Sequence, residues 1–109
     1  MPYANERRMI LAISTSTQTA TVLIPPPGAG KRIAIDCVNL IASGGANTVT
    51  LAGNINYVIA IANAGQFQIC NSYHDPEGVL HYDNNQDFRI ALSAATAVAG
   101  WITYRIINN

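Results

Sequence analysis

The sequence predicts an all-β domain: a two-sheet antiparallel β-sandwich of jelly-roll type, with about eight strands. Three observations carry this expectation. Apolar residues recur at every second position in one short run after another, the pattern of strands with one buried face. Turn-forming Gly, Pro, Asn and Asp separate nearly all of these runs. Helical spacing is not convincing anywhere, and ALSAATAVAG, the best candidate by composition, is short and carries Thr, Val and Gly.

Residues 1–8 read as a polar N-terminal arm, and residues 9–109 as a single sandwich domain. Strand-like runs are expected at roughly 8–15, 19–24, 32–42, 47–52, 55–62, 66–71, 79–82, 87–93 and 98–107. In NTVTLAG, Val49 and Leu51 point inward against Thr48 and Thr50. INYVIAIA sets Ile55, Tyr57, Ile59 and Ile61 on one side. Gly53-Asn54 makes a tight hairpin turn between these two runs, and Asn63-Ala64-Gly65 turns the chain again before QFQIC. DFRIALS alternates strictly, with Phe88, Ile90 and Leu92 on one face. The last run sets Val98, Ile102, Tyr104 and Ile106 against Trp101, Thr103 and Arg105. In RIAIDCVNLIAS the apolar role passes from Ile33 and Ile35 to Val38 and Leu40, as a β-bulge would cause. An immunoglobulin-like sandwich fits less well, because Trp101 follows both cysteines instead of lying between them.

PPPGAGKR, Pro25 to Arg32, has the Gly-Lys pair of a phosphate-binding loop but not its chemistry. Pro25 stands where the first glycine should be and Arg32 where the hydroxyl should be, and three prolines lack the N–H donors of a phosphate nest. A strand follows Lys31, whereas a phosphate loop must open a helix. The segment is expected to be a stiff connection between strands.

Composition narrows the function. Only 11% of the 109 residues are charged, with six basic and six acidic side chains and zero formal net charge, where about 25% charged is usual. The 28 Ser, Thr, Asn and Gln residues far outnumber the 12 charged ones. Such a chain has no electrostatic means of attracting nucleic acid or an anionic membrane. A surface so poor in charge is expected to be largely covered by other protein. No run approaches the ~20 apolar residues of a membrane span, and no signal peptide is recognisable at the start.

The search for reactive chemistry returns little. Cys37 and Cys70 lie far apart in sequence, with no CxxC, and read as buried free thiols in a cytosolic product. HDPEGVLHYDNNQD, His74 to Asp87, holds both histidines and four of the six acids. It fails as a calcium loop, because Phe88 replaces the required glycine and Ala94 the bidentate glutamate. Asp75-Pro76-Glu77-Gly78 reads as a turn. No nucleophile elbow and no Cys with an evident His partner is present. The expectation is therefore a non-enzyme with no cofactor and no metal. Aromatic residues among Asn-rich neutral loops keep sugar binding open as an alternative, with Trp101 among the candidates.

The central GGANTVTLAGN hairpin and the closing LSAATAVAGWITYRI carry a resemblance. With its polar arm and about a hundred residues, the chain looks like the small virion proteins of tailed bacteriophages, and most resembles their jelly-roll head decoration, or cement, proteins. Leu92, Ser93, Ala95, Val98, Gly100, Ile102 and Tyr104 form the loose C-terminal pattern that carries it. The resemblance implies a homotrimer on the capsid surface, made in the host cytoplasm, that binds the major capsid protein lattice and stabilises the head. The expected grip is the arm, with Tyr3 as an aromatic anchor and Glu6, Arg7 and Arg8 as its charges. A tail or head-fibre module that binds host carbohydrate is the alternative.

Overall fold

The computed structural model describes residues 8–53, 55–70 and 80–108. Among these described residues nine strands follow one another: β1 (Met9–Thr15), β2 (Thr21–Ile24), β3 (Lys31–Ser43), β4 (Asn47–Ala52), β5 (Asn56–Ile61), β6 (Gln66–Cys70), β7 (Leu80–His81), β8 (Phe88–Leu92) and β9 (Ala97–Asn108). One sheet has the order β1-β9-β3-β6, with the two-residue β7 also paired to β3, and the other has the order β2-β8-β4-β5. All pairings are antiparallel.

These orders make a jelly roll. β1 pairs with β9, β2 with β8, β3 with β6 and β4 with β5. The chain is thus one long hairpin with its tip at β4–β5, folded over so that successive pairs fall in alternate sheets. The β9–β3 and β8–β4 ladders then complete the sheets.

The core is the set of inward positions that alternation marks. Ile33, Ile35, Val38 and Leu40 of β3 face Val49 and Leu51 of β4, Phe88, Ile90 and Leu92 of β8, and Val98 and Ile102 of β9, all buried. Tyr57, Ile59, Phe67, Tyr104 and Ile106 pack against them, half-buried. Ile55, expected on the same side as Tyr57, precedes β5 and is exposed.

The expected bulge in β3 lies between Ile35 and Cys37. Ile35 opposes Tyr104 and Cys37 opposes Thr103, so Asp36 is the extra residue. Inward alternation therefore resumes at Val38, and Asp36 and Cys37 both lie on the outward side. The turn after β5 closes with Gly65 N–H donating to Ala62 O at 2.8 Å, with Ala64 at φ 58°.

Candidate functional site

The PPPGAGKR connection packs against the turn that leads into β8. Gly28 N–H donates to Asn85 Oδ1 at 2.9 Å and Gly30 N–H to Asn84 Oδ1 at 2.7 Å. Lys31 N–H donates to Gly28 O, and Asn85 N–H to Lys31 O. The donors that a phosphate nest would aim at a ligand are taken up by asparagine oxygens and a turn. Lys31 opens β3. Asn84 and Asn85 thus serve as ties between connections, a role their neutral, Asn-rich sequence left undecided.

Of the arm residues singled out in the sequence, Tyr3, Glu6 and Arg7 lie outside the described residues, as do His74, Asp75 and Glu77. Arg8 is described, and its Nε donates to Asp36 Oδ2 at 3.1 Å. Asp36 also receives a two-pronged contact from Arg105, Nε to Oδ2 and Nη2 to Oδ1, each at 2.8 Å. The Asp36 and Arg105 side chains are buried, while that of Arg8 is 59% exposed. Arg105, placed by alternation on the outward face, is therefore not a solvated charge. The signal was available: Asp36 is the only charge between Ile33 and Ser43, and Arg105 the only one in β9. A lone charge in an apolar strand must find a partner or stay exposed.

A second buried polar centre was missed altogether. Asn47 Nδ2 donates to Ala94 O, Thr96 O and Thr96 Oγ1, and its Oδ1 accepts from Ser93 N–H and Ala94 N–H. One side chain at the start of β4 thereby fixes the β8–β9 connection. In sequence it is simply the first residue of the strand expected at 47–52.

Tyr82 fills the space between the sheets. Its ring meets Tyr57 and Phe88 edge-on, at centroid distances of 5.9 and 5.7 Å, and its hydroxyl donates to Leu51 O at 3.3 Å. Burial, followed by the nearby Tyr57, pushes its ionisation well above the ordinary tyrosine value. Gly53 makes room for the ring, since a Cβ there would lie 2.4 Å from Tyr82 Cδ1. Tyr82 is a core residue and offers no reactive hydroxyl to solvent.

Cys37 and Cys70 are free, but they are not buried as expected: Cys37 is half-buried and Cys70 exposed. They are direct Cα partners across the β3–β6 ladder. Two features account for the difference: the bulge turns Cys37 to the outward side, and the alternation of β6 sets Cys70 there with Gln66 and Gln68.

Register defines that outward face of the first sheet. One row runs Ile10, Thr103, Cys37, Cys70, and the next Ala12, Trp101, Asn39, Gln68. A third runs Ser14, Ala99, Ile41, Gln66. These twelve positions carry no formal charge, and the charged cluster of Arg8, Asp36 and Arg105 lies beyond one end of them. Ile10 is 76% exposed, Ile41 44% and Trp101 36%. Gln66 Nε2 donates to Asn39 Oδ1 at 2.7 Å, bracing an amide pair beside Trp101. The outward face of the second sheet is also poor in charge, with Thr48, Thr50, Val58 and Ala91, but Arg89 sits on it. A shallow depression at the open end of β4 and β5 is lined by Ala46, Thr48, Ala60, Ala62 and Ser93 and has no charged side chain among them.

Among the described residues, no three His, Cys, Asp or Glu side chains gather as they would around a metal ion, and no helix is long and apolar enough to cross a membrane. The chain matches no family model, no curated protein and no solved structure with significance.

Proposed function

We propose that the chain is a non-enzymatic structural protein of a virion: a bacteriophage capsid decoration, or cement, protein that binds the outer surface of the major capsid protein lattice as a homotrimer and stabilises the head. The observation that carries this reading is the charge-free outward face of the first sheet, with Ile10, Ile41 and Trp101 open to solvent on a jelly roll. Covering such a face with protein removes apolar area from water and desolvates no ion. A trimer that engages several capsomers at once needs only weak individual contacts, because each later contact forms at high effective concentration. Tyr3, Glu6, Arg7 and Arg8 remain the proposed grip on the shell. The pairing of Arg8 Nε with Asp36 makes Arg8 the anchor of the arm as well.

One observation favours a second reading, a carbohydrate-binding tail or head-fibre module. Trp101 lies in a row with Asn39 and Gln68, and an indole face beside amide groups suits a sugar ring and its hydroxyls.

The test mixes purified protein with undecorated phage shells, and in parallel with a glycan array. Cosedimentation at saturable stoichiometry, with raised resistance of the shells to heat, is expected. Absence of shell binding together with glycan binding lost in Trp101→Ala rejects the decoration reading in favour of the second.

A further inference from the structure

We propose that Cys37 and Cys70 are a covalent modification site, an oxidisable thiol pair that closes into an intramolecular disulfide when it meets a disulfide oxidant such as oxidised glutathione. The bond clamps the edge strand β6 to the central strand β3. Register carries this inference. The two residues oppose each other directly in an antiparallel ladder, where Cα atoms stand about 4.5–5.5 Å apart. Disulfides bridge Cα separations of about 4.4–6.8 Å. The backbone therefore already holds the pair at bridging distance, and directly opposed residues project to one side of the sheet.

Access is the second requirement. With uninterrupted alternation, Cys37 would share the inward face of Ile35 and stand on the opposite side of the sheet from Cys70. Cys70 lies outward by the alternation of β6, in step with Gln66 and Gln68, and the bulge at Asp36 brings Cys37 to that same side, leaving Cys70 exposed and Cys37 half-buried. The two thiols are within hydrogen-bonding reach of each other. That contact, followed by desolvation, pushes the Cys70 thiol above its ordinary value of 9.0. The pair is thus slow to react at neutral pH and gains thiolate as pH rises.

The chemistry balances with one oxidant. The Cys70 thiolate attacks one sulfur of oxidised glutathione, forming a mixed disulfide and releasing one glutathione thiolate. The Cys37 thiolate then attacks the Cys70 sulfur and releases the second glutathione. Two protein thiols give up two electrons and two protons, and oxidised glutathione is reduced to two molecules of the thiol.

Structural consequences follow from the topology. β6 has β3 as its neighbour at the edge of the sheet, and edge elements with few partners open first. The bond would close a loop that contains the whole β4–β5 hairpin. It would also lie in the row next to Trp101, within the exposed face.

The experiment treats the native protein with excess oxidised glutathione over a pH series. Expected are loss of both titratable thiols, a mass lower by two hydrogens with no retained glutathione, and a proteolytic fragment joining Cys37 to Cys70. The rate should climb through pH 9, and the oxidised protein should melt roughly 10 °C or more higher than the reduced one. Cys37→Ser should retain one glutathione on Cys70. Wild-type protein that keeps glutathione on Cys70, keeps both thiols, or cross-links only between chains overturns the proposal, and each of these outcomes is read on the wild type, whether or not the variant folds.

Discussion

Asn47 illustrates how much one buried side chain can organise. Its amide donates to the carbonyls of Ala94 and Thr96 and accepts from the N–H groups of Ser93 and Ala94, the first of which it shares with Thr48 O. Asn47→Ala removes all of these contacts at once; the groups left behind are part-buried and Ser93 N–H keeps Thr48 O, so each costs less than the about 1–3 kcal/mol of a fully buried orphan. We expect a net loss of roughly 2–3 kcal/mol in urea unfolding. Asn47→Asp should do no better at neutral pH, since a carboxylate cannot donate to Ala94 O or Thr96 O. Tyr82 makes a prediction of a different kind. Its folded ionisation is raised above the ordinary value of 10.0, so it stays neutral in the native state while the unfolded chain ionises. Below pH 10 both states keep the proton and stability is unaffected. Above pH 10 the unfolded state binds fewer protons than the native one, and stability falls with rising pH by up to about 1.4 kcal/mol per pH unit. Tyr82→Phe should lose about 1 kcal/mol at neutral pH with the Leu51 hydrogen bond, and its stability should decline less than that of the wild type between pH 10 and 11. Parallel decline in the two proteins would mean that other groups govern the alkaline limb.

Strands β3 and β9 show what could be read in advance and what could not. Alternation placed Ile33, Ile35, Val38 and Leu40 inside and located the bulge, because an apolar face that changes parity has to gain a residue. Alternation also put Val98 and Ile102 inside. It could not show that Arg105 would be buried against Asp36, since period assigns a side and says nothing of what covers it. Nor could it reveal that Cys37 and Cys70 are opposed: pairing partners far apart in sequence are fixed by topology, and the outward turn of Cys37 depends on one bulge. Gly100 was legible only as part of a loose pattern. In the fold it sits between Ile13 of β1 and Leu40 of β3 at φ +153°, and a Cβ on it would stand 1.8 Å from Asn39 O. The obstruction is backbone in a central ladder, with no flexible side chain to swing away. Gly100→Ala should therefore cost about 3 kcal/mol or more, or leave the protein unfolded. Near wild-type stability on denaturant unfolding would mean that β9 can slide away from β3 with little strain.

At the scale of the molecule, the distribution of charge is the fact with the widest consequence. A sheet face of twelve positions without one formal charge is unusual for a surface meant to meet only water, and the charged side chains among the described residues, such as Lys31, Asp36, Arg89 and Arg105, lie at other positions. If copies of the chain meet on this face in the proposed trimer, their association rests on apolar and neutral polar contacts. It should then survive moderate salt, which screens only exposed ion pairs. A single charge placed on the face should undo it, because each interface would have to bury an ion without a partner. Ile41→Lys suits this purpose: Ile41 is exposed, so the isolated fold loses no core contact. Val58→Lys on the opposite sheet, also at an exposed position, is the control. Light scattering and sedimentation should find wild type and Val58→Lys associated at high micromolar concentration in low and moderate salt alike. Ile41→Lys should be at least about tenfold weaker in association, roughly 1.4 kcal/mol or more, with the unfolding of dilute protein unchanged. Equal association of Ile41→Lys and wild type would clear this face of the role, and dissociation of the wild type by moderate salt would assign the assembly to ion pairs elsewhere.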